Sequence, residues 1–231
     1  ISISLTGPTG SGKSTTISAL LNYINARKKL RVITLEDPIE YLLHDDLCDF
    51  NQREYRTDFN SFADGLRAAL RQDPDLIMVG EMREVETIKM GLMAAETGHM
   101  VVSTLHTVSS AETVERIVSA FPGDEQQQVR EQFCNCCCGI MSQQLIKKVK
   151  GEGVVPVREI LIFNHPIRNL ILTGNMSQVT HYLEVSPEKG MNSLNQALEK
   201  AYSSKLITYD NAIACSAEPD TLKERLDKLF Q

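Results

Sequence analysis

Through the first two thirds of the chain, short continuous apolar runs alternate with longer stretches in which apolar residues recur every three or four positions. The run at residues 1–5 predicts a strand, and Ile17, Leu20, Leu21 and Ile24, spaced i, i+3, i+4, i+7, predict a core-facing helix over residues 13–27. The same reading predicts strands at residues 31–35, 76–79 and 100–104, and helices at residues 61–71, 85–96 and 109–121. Such alternation argues for an α/β sheet covered by helices. From Val154 the texture changes: a strand at residues 154–162 leads into helical spacings at Met191, Leu194, Leu198 and Ala201, then at Leu222, Leu226 and Leu229. The expected organisation is therefore an α/β core over residues 1–150 and a short strand plus a helical C-terminal subdomain over residues 151–231.

In an open α/β sheet ligands sit beyond the carboxyl ends of the strands. The chemistry is expected just after Leu5, Leu35, Val79 and Thr104, and polar residues follow each of those points. After Leu5 comes Gly7-Pro8-Thr9-Gly10-Ser11-Gly12-Lys13-Ser14-Thr15, a G-x-x-x-x-G-K-[ST] loop between a strand and a helix. In such a loop, the Walker A loop, backbone N–H groups wrap the phosphates of a nucleotide. Thr9, Gly10, Ser11, Gly12, Lys13, Ser14 and Thr15 are the nucleotide-binding candidates. Lys13 is placed to reach the β- and γ-phosphates and the Ser14 hydroxyl to ligate Mg²⁺, so ATP and Mg²⁺ are the expected cofactors.

After Leu35 comes Glu36-Asp37-Pro38-Ile39-Glu40-Tyr41, where an acidic residue facing the loop can deprotonate a water for attack on the γ-phosphate, although acidic residues before a proline also make ordinary turns. The strand ending at Val79 runs through Gly80 into Glu81, the position at which a P-loop enzyme holds Mg²⁺ or its water. Either Glu36 or Glu81 fits the base. The next strand opens on Gly98-His99 and closes on Thr104-Leu105-His106-Thr107. A histidine at a carboxyl end can donate to a phosphate oxygen and report whether the γ-phosphate is present, a role assigned to His106 and, with less weight, to His99.

Size and charge narrow the picture. A chain of 231 residues, 42% of them hydrophobic, can bury one good core or one core and a satellite. Its net charge of −6 lacks the electrostatic footprint of a nucleic-acid binder, and the clusters Arg27-Lys28-Lys29 and Lys147-Lys148-Lys150 read as solvated helix ends and turns. No apolar run has the length of a membrane span and no signal pattern opens the chain, so a soluble, cytoplasmic protein is expected. Four of the six cysteines crowd into Cys134-Asn135-Cys136-Cys137-Cys138, in a stretch, residues 123–138, that reads as a helix. One tract without a second pair is a poor zinc site, and small buried core residues are the expectation.

Taken together, these motifs resemble one family, the secretion and pilus ATPases that power type II secretion and type IV pili. Its boxes match in order: the Walker A loop, the acidic box ending Glu36-Asp37-Pro38-Ile39-Glu40, the Walker B segment from Asp73 to Glu84, and the histidine box from Ala94 through His99 to Thr107. Where the family has Gly-Glu-Met-Arg-Asp, this chain has Glu84 in the last place. Within the family the chain looks most like the retraction ATPases of twitching motility. Gln144-Leu145-Ile146-Lys147-Lys148 passes through Gly151-Glu152-Gly153 directly to Val154, with no room for the tetracysteine insertion of extension and secretion members. Pro166-Ile167-Arg168-Asn169-Leu170-Ile171 matches the retraction members' Ala-Ile-Arg-Asn-Leu-Ile helix with proline for its first alanine, which a helix's first turn tolerates.

The resemblance implies a RecA-like P-loop NTPase core with a helical C-terminal appendage. It further implies ATP bound between neighbours in a homohexamer of the full-length protein, with domain motions that disassemble a pilus. The machine would sit on the cytoplasmic side of the inner membrane, against the pilus platform protein, without a transmembrane segment of its own and without nucleic acid. Family members carry an upstream domain that supplies arginines to a neighbour's nucleotide, so this stretch alone is expected to bind nucleotide, hydrolyse it feebly and form no stable ring. The rival expectations are an extension or type II secretion ATPase, a nucleotide-gated assembly subunit without useful hydrolysis, and a nucleic-acid translocase.

Overall fold

The computed structural model describes residues 2–185 and 190–228. Ile1 of the first predicted strand and Leu229 of the last predicted helix lie outside the described residues. The elements run β1 (Ser2–Thr6), α1 (Lys13–Asn25), β2 (Arg31–Glu36), β3 (Asp49–Glu54), α2 (Phe62–Ala69), β4 (Leu76–Val79), α3 (Val85–Glu96), β5 (Met100–Leu105), α4 (Ser110–Ser119) and α5 (Gln126–Cys136). Then follow β6 (Cys137–Lys147), β7 (Val154–Ile162), α6 (His165–Leu172), α7 (Met176–Val185), α8 (Leu194–Ser203), α9 (Tyr209–Cys215) and α10 (Pro219–Lys228).

The seven strands among the described residues form one sheet in the order β3-β2-β4-β5-β1-β6-β7. β1 to β6 run parallel, and β7 returns antiparallel beside β6. β2 and β4 are buried along almost their whole length, which explains why Val32-Ile33-Thr34-Leu35 and Leu76-Ile77-Met78-Val79 read as continuous apolar runs without alternation. Two of the buried polar residues of β1 pair across the ladder: Ser4 with Ser103 (3.2 Å between hydroxyl oxygens) and Thr6 with Ser142 (2.7 Å). A buried hydroxyl without such a partner is costly.

α1 seals one cluster, with Ile17 and Leu21 against Leu5, Val32, Leu76 and Val102. A larger cluster joins Ile33, Leu35 and Ile77 of the strands to Leu66, Ile88 and Ile117 of α2, α3 and α4. A third gathers Ile146 and Val157 of β6 and β7 with Leu198, Ile207, Leu222 and Leu226 of the following segments. Helix starts are closed by side chains where the sequence offers them: Ser109 accepts from the Glu112 N–H, Asn164 from Ile167, and Ser193 with Gln196 forms a reciprocal capping box.

Two elements depart from the sequence reading. β3, Asp-Phe-Asn-Gln-Arg-Glu, is an edge strand; its partial exposure removes the need for an apolar pattern. The cysteine tract does not stay helical. α5 ends at Cys136, and Cys137 and Cys138 open β6, whose interior must then carry Ser142 and Gln143 as buried polar residues.

Candidate functional site

The turn between β1 and α1 takes its shape from glycines at positive φ: Gly7 (145°), Gly10 (76°) and Gly12 (80°). At Gly7 a Cβ would run into the carbonyl oxygen of Gln143, so the loop lies against β6 more closely than any side chain allows. The start of α1 has no side-chain cap and no acidic residue in its first turn. Its free N–H groups and the positive end of its dipole are thus presented to the cleft. The Lys13 ammonium folds back and donates to the carbonyls of Gly7 (2.8 Å) and Pro8 (3.1 Å). Burial lowers its pKa below the usual lysine range; Glu81 and Glu40 oppose that shift, and Arg83 adds to it.

A cleft of about 700 Å³ opens over this loop. Thr9, Gly10, Ser11, Gly12, Lys13, Ser14 and Thr15 line it, and so do Glu36, Glu81 and His106, brought in from the carboxyl ends of β2, β4 and β5. Glu36 is nearly buried, and one of its oxygens, Oε1, accepts both from the Thr34 hydroxyl (2.6 Å) and from the Gln52 amide (3.0 Å). Gly80 lets the end of β4 pass beside β2: its N–H donates to Leu35 (2.7 Å), and a Cβ there would come within 2.9 Å of that same carbonyl oxygen. Beyond it, Glu81 Oε1 accepts from Arg83 Nε and lies 3.3 Å from His106 Nε2. The Thr104 hydroxyl donates to the Gly80 carbonyl and ties the ends of β4 and β5 together. The His106 pKa is lowered, first by burial, then by the Lys13 ammonium, with Glu81 opposing and Arg83 assisting.

His99 is not brought to the cleft. It sits before β5, at the opposite end of the strand from His106, and its Nδ1 lies 3.1 Å from both the Thr97 hydroxyl and the Ala94 carbonyl. The geometry gives it a place in the α3–β5 turn.

Sequence reasoning missed several residues that shape the site. Gln143 of β6 is 1% exposed and donates to the Ser11 carbonyl at 2.6 Å, while its Oε1 accepts from Thr16 and Arg158. Gln52 of β3 bridges Glu36 and the Tyr41 carbonyl, and the Tyr41 hydroxyl meets that of Thr15 at 2.9 Å. Polar residues inside a strand were the available signal, but the strands carrying them were not recognised.

The cysteines lie away from the cleft. Cys134, Cys136 and Cys137 are buried and Cys138 exposed, and burial pushes the Cys134 thiol up to about 11. A thiol held that high is a poor nucleophile at neutral pH.

A mostly parallel sheet with a glycine loop and a lysine between the interior strand β1 and helix α1 defines the P-loop NTPase fold class. A family profile described as Type II/IV secretion system protein matches residues 1–206, and the chain belongs to that family. It is 45% identical over 208 residues to the type IV pilus retractation ATPase PilT of Pseudomonas aeruginosa, covering 90% of this chain and 60% of that protein. It is equally, 45%, identical to a twitching motility protein of Neisseria gonorrhoeae over 90% of this chain and 56% of that one. A crystal structure of the pilus retraction motor PilT with bound ADP superposes with a TM-score of 0.90 at 47% identity, over 96% of this chain and 63% of that chain. The chain thus spans about 60% of the length of the first relative. No helix among the described residues is long and apolar enough to cross a membrane.

Proposed function

We propose that the protein binds ATP with Mg²⁺ at the β1–α1 loop and hydrolyses it, and that as part of a full-length hexamer it drives type IV pilus retraction. In this reading it acts at the cytoplasmic side of the inner membrane, against a platform protein of the pilus machine. The observation that carries the reading is the convergence of the loop, Glu36, Glu81 and His106 on one cleft. The names of the relatives and the ADP bound to the solved PilT motor support it, and the short turn joining β6 to β7 favours retraction over extension or secretion.

The donor set suits Mg²⁺. Ser14 is exposed at the first turn of α1 and Glu81 lines the same cleft, so both would present hard oxygens. Among the described residues no group of three or more His, Cys, Asp or Glu forms a cage that could hold a metal ion by itself. That fits an ion completed by phosphate oxygens and water. Bound there, the ion would offset charge on the β- and γ-phosphates.

The chain's own groups divide the remaining work. Backbone N–H groups of residues 9–14 and the Lys13 ammonium bind the phosphates, the ammonium leaving its present carbonyl acceptors. Glu36 takes a proton from the attacking water; the two donors on its Oε1 fix the carboxylate in place. His106 donates to a γ-phosphate oxygen. Phosphate release by the full-length protein tests the reading, with Glu36→Gln expected to bind ATP but not turn it over. Nucleotide binding without turnover in the parent protein would favour an assembly subunit gated by ATP.

A further inference from the structure

Gln143 is a 1% exposed polar side chain bonded to the phosphate loop, and its amide has one favoured orientation. Oε1 accepts from the Thr16 hydroxyl at 3.0 Å and from Arg158 Nε at 2.7 Å; a nitrogen in that place would face the Arg158 N–H, which can only donate. Nε2 is therefore committed to the Ser11 carbonyl, 2.6 Å away. Arg158 stands directly opposite Gln143 in the β6–β7 ladder, and its own carbonyl accepts from Asn192 at 2.6 Å. The clamp on the loop is thus anchored through β7 to the segment that leads into α8.

In a planar trans peptide the C=O and the following N–H point in opposite directions. Holding the Ser11 oxygen against β6 turns the Gly12 N–H away from β6. Gly12 has φ 80° and ψ 24°, and a glycine there leaves the peptide before it free to rotate. In the rotated state a carbonyl oxygen would face the phosphates. We propose that Gln143 is the positioning residue that locks the Ser11–Gly12 peptide with its N–H aimed at the nucleotide phosphates, and that the Arg158 contact fixes the amide for this task.

The proposal rests on the nucleotide reading, and one titration separates the two. MgADP is added to the parent chain and to Gln143→Met, with heat and the Gly12 amide resonance followed together. The lock predicts that Q143M binds about tenfold more weakly, the worth of one well-made hydrogen bond, and loses the Gly12 shift that ADP produces in the parent. Equal affinity and an equal shift in the two proteins would overturn the lock and leave the nucleotide reading standing. No binding by the parent removes both. Should Q143M not fold, a crystal structure of the parent with ADP decides: Gln143 Nε2 still on the Ser11 oxygen supports the lock, and a rotated Ser11–Gly12 peptide overturns it.

Discussion

His106 Nε2 lies 3.3 Å from Glu81 Oε1, at the ends of adjacent parallel strands. The sheet itself brings the pair together: Val79 is in register with Ser103, so the residues following β4 and β5 emerge side by side. Glu81 Oε1 also takes the Arg83 guanidinium, so in the proposed reading the carboxylate meant for Mg²⁺ is tied to the imidazole meant for the γ-phosphate. On that reading, a ligand that engages one is expected to disturb the other.

Removing the imidazole should therefore affect triphosphate chemistry more than diphosphate binding. If the full-length protein hydrolyses ATP as proposed, His106→Ala is expected to lower its kcat roughly 10²-fold, the scale of one lost donor to developing charge. Its ADP affinity should stay near that of the parent. A variant that turns over normally would take His106 out of the site's chemistry.

The lowered pKa of His106 has a definite pH signature. Unfolded, the imidazole takes a proton as pH falls through about 6.5; folded, burial and the Lys13 ammonium delay that protonation. The unfolded state then binds more protons, so this group's stabilisation is complete above about 6.5 and is lost as pH falls toward the folded value. Thermal melts between about pH 7.5 and 5.5 should show a shallower decline in His106→Gln than in the parent. Identical slopes would contradict the assignment.

Glu159 of β7 titrates in the opposite sense. Its carboxylate accepts from the Ser110 N–H at 2.7 Å; burial raises its pKa, and the hydrogen bonds from Ser110 and Leu194 only partly oppose that. Its favourable contribution is present below the unfolded value and lost as pH rises toward the folded one. Glu159→Gln, which keeps an acceptor without the charge, should be at least as stable as the parent at neutral pH in urea melts. Glu159→Ala should lose about 1–3 kcal/mol by orphaning the Ser110 N–H. An Ala variant more stable than the Gln variant would refute this account.

The sheet's centre was legible because strands buried on both faces must be apolar. β4 (Leu76–Val79), α3 (Val85–Glu96) and β7 (Val154–Ile162) lie at their predicted limits, and β1, β2 and β5 each end one residue later than predicted. The margins were not legible. β3 is polar because it is an edge, and β6 begins inside a cysteine tract whose composition suits helix and strand alike. With those strands went their glutamines: nothing local marks Gln52 as the partner of Glu36 or Gln143 as the partner of Ser11, since each contact depends on strand order. Glu36, Glu81 and His106 meet at the cleft that Lys13 also lines because the carboxyl ends of parallel strands open on one side of the sheet wherever the margins fall. His99 shows the limit of that reasoning, since a strand has two ends and the loop occupies one.

The central claim is that amide dipoles, the Lys13 ammonium and Mg²⁺ together hold a nucleotide's phosphates at the β1–α1 loop. Titrating MgATP into this chain and into Lys13→Ala by calorimetry tests it most directly. Saturable heat in the parent and none in the variant is the predicted result; no heat in the parent, or the same isotherm in both, would contradict it.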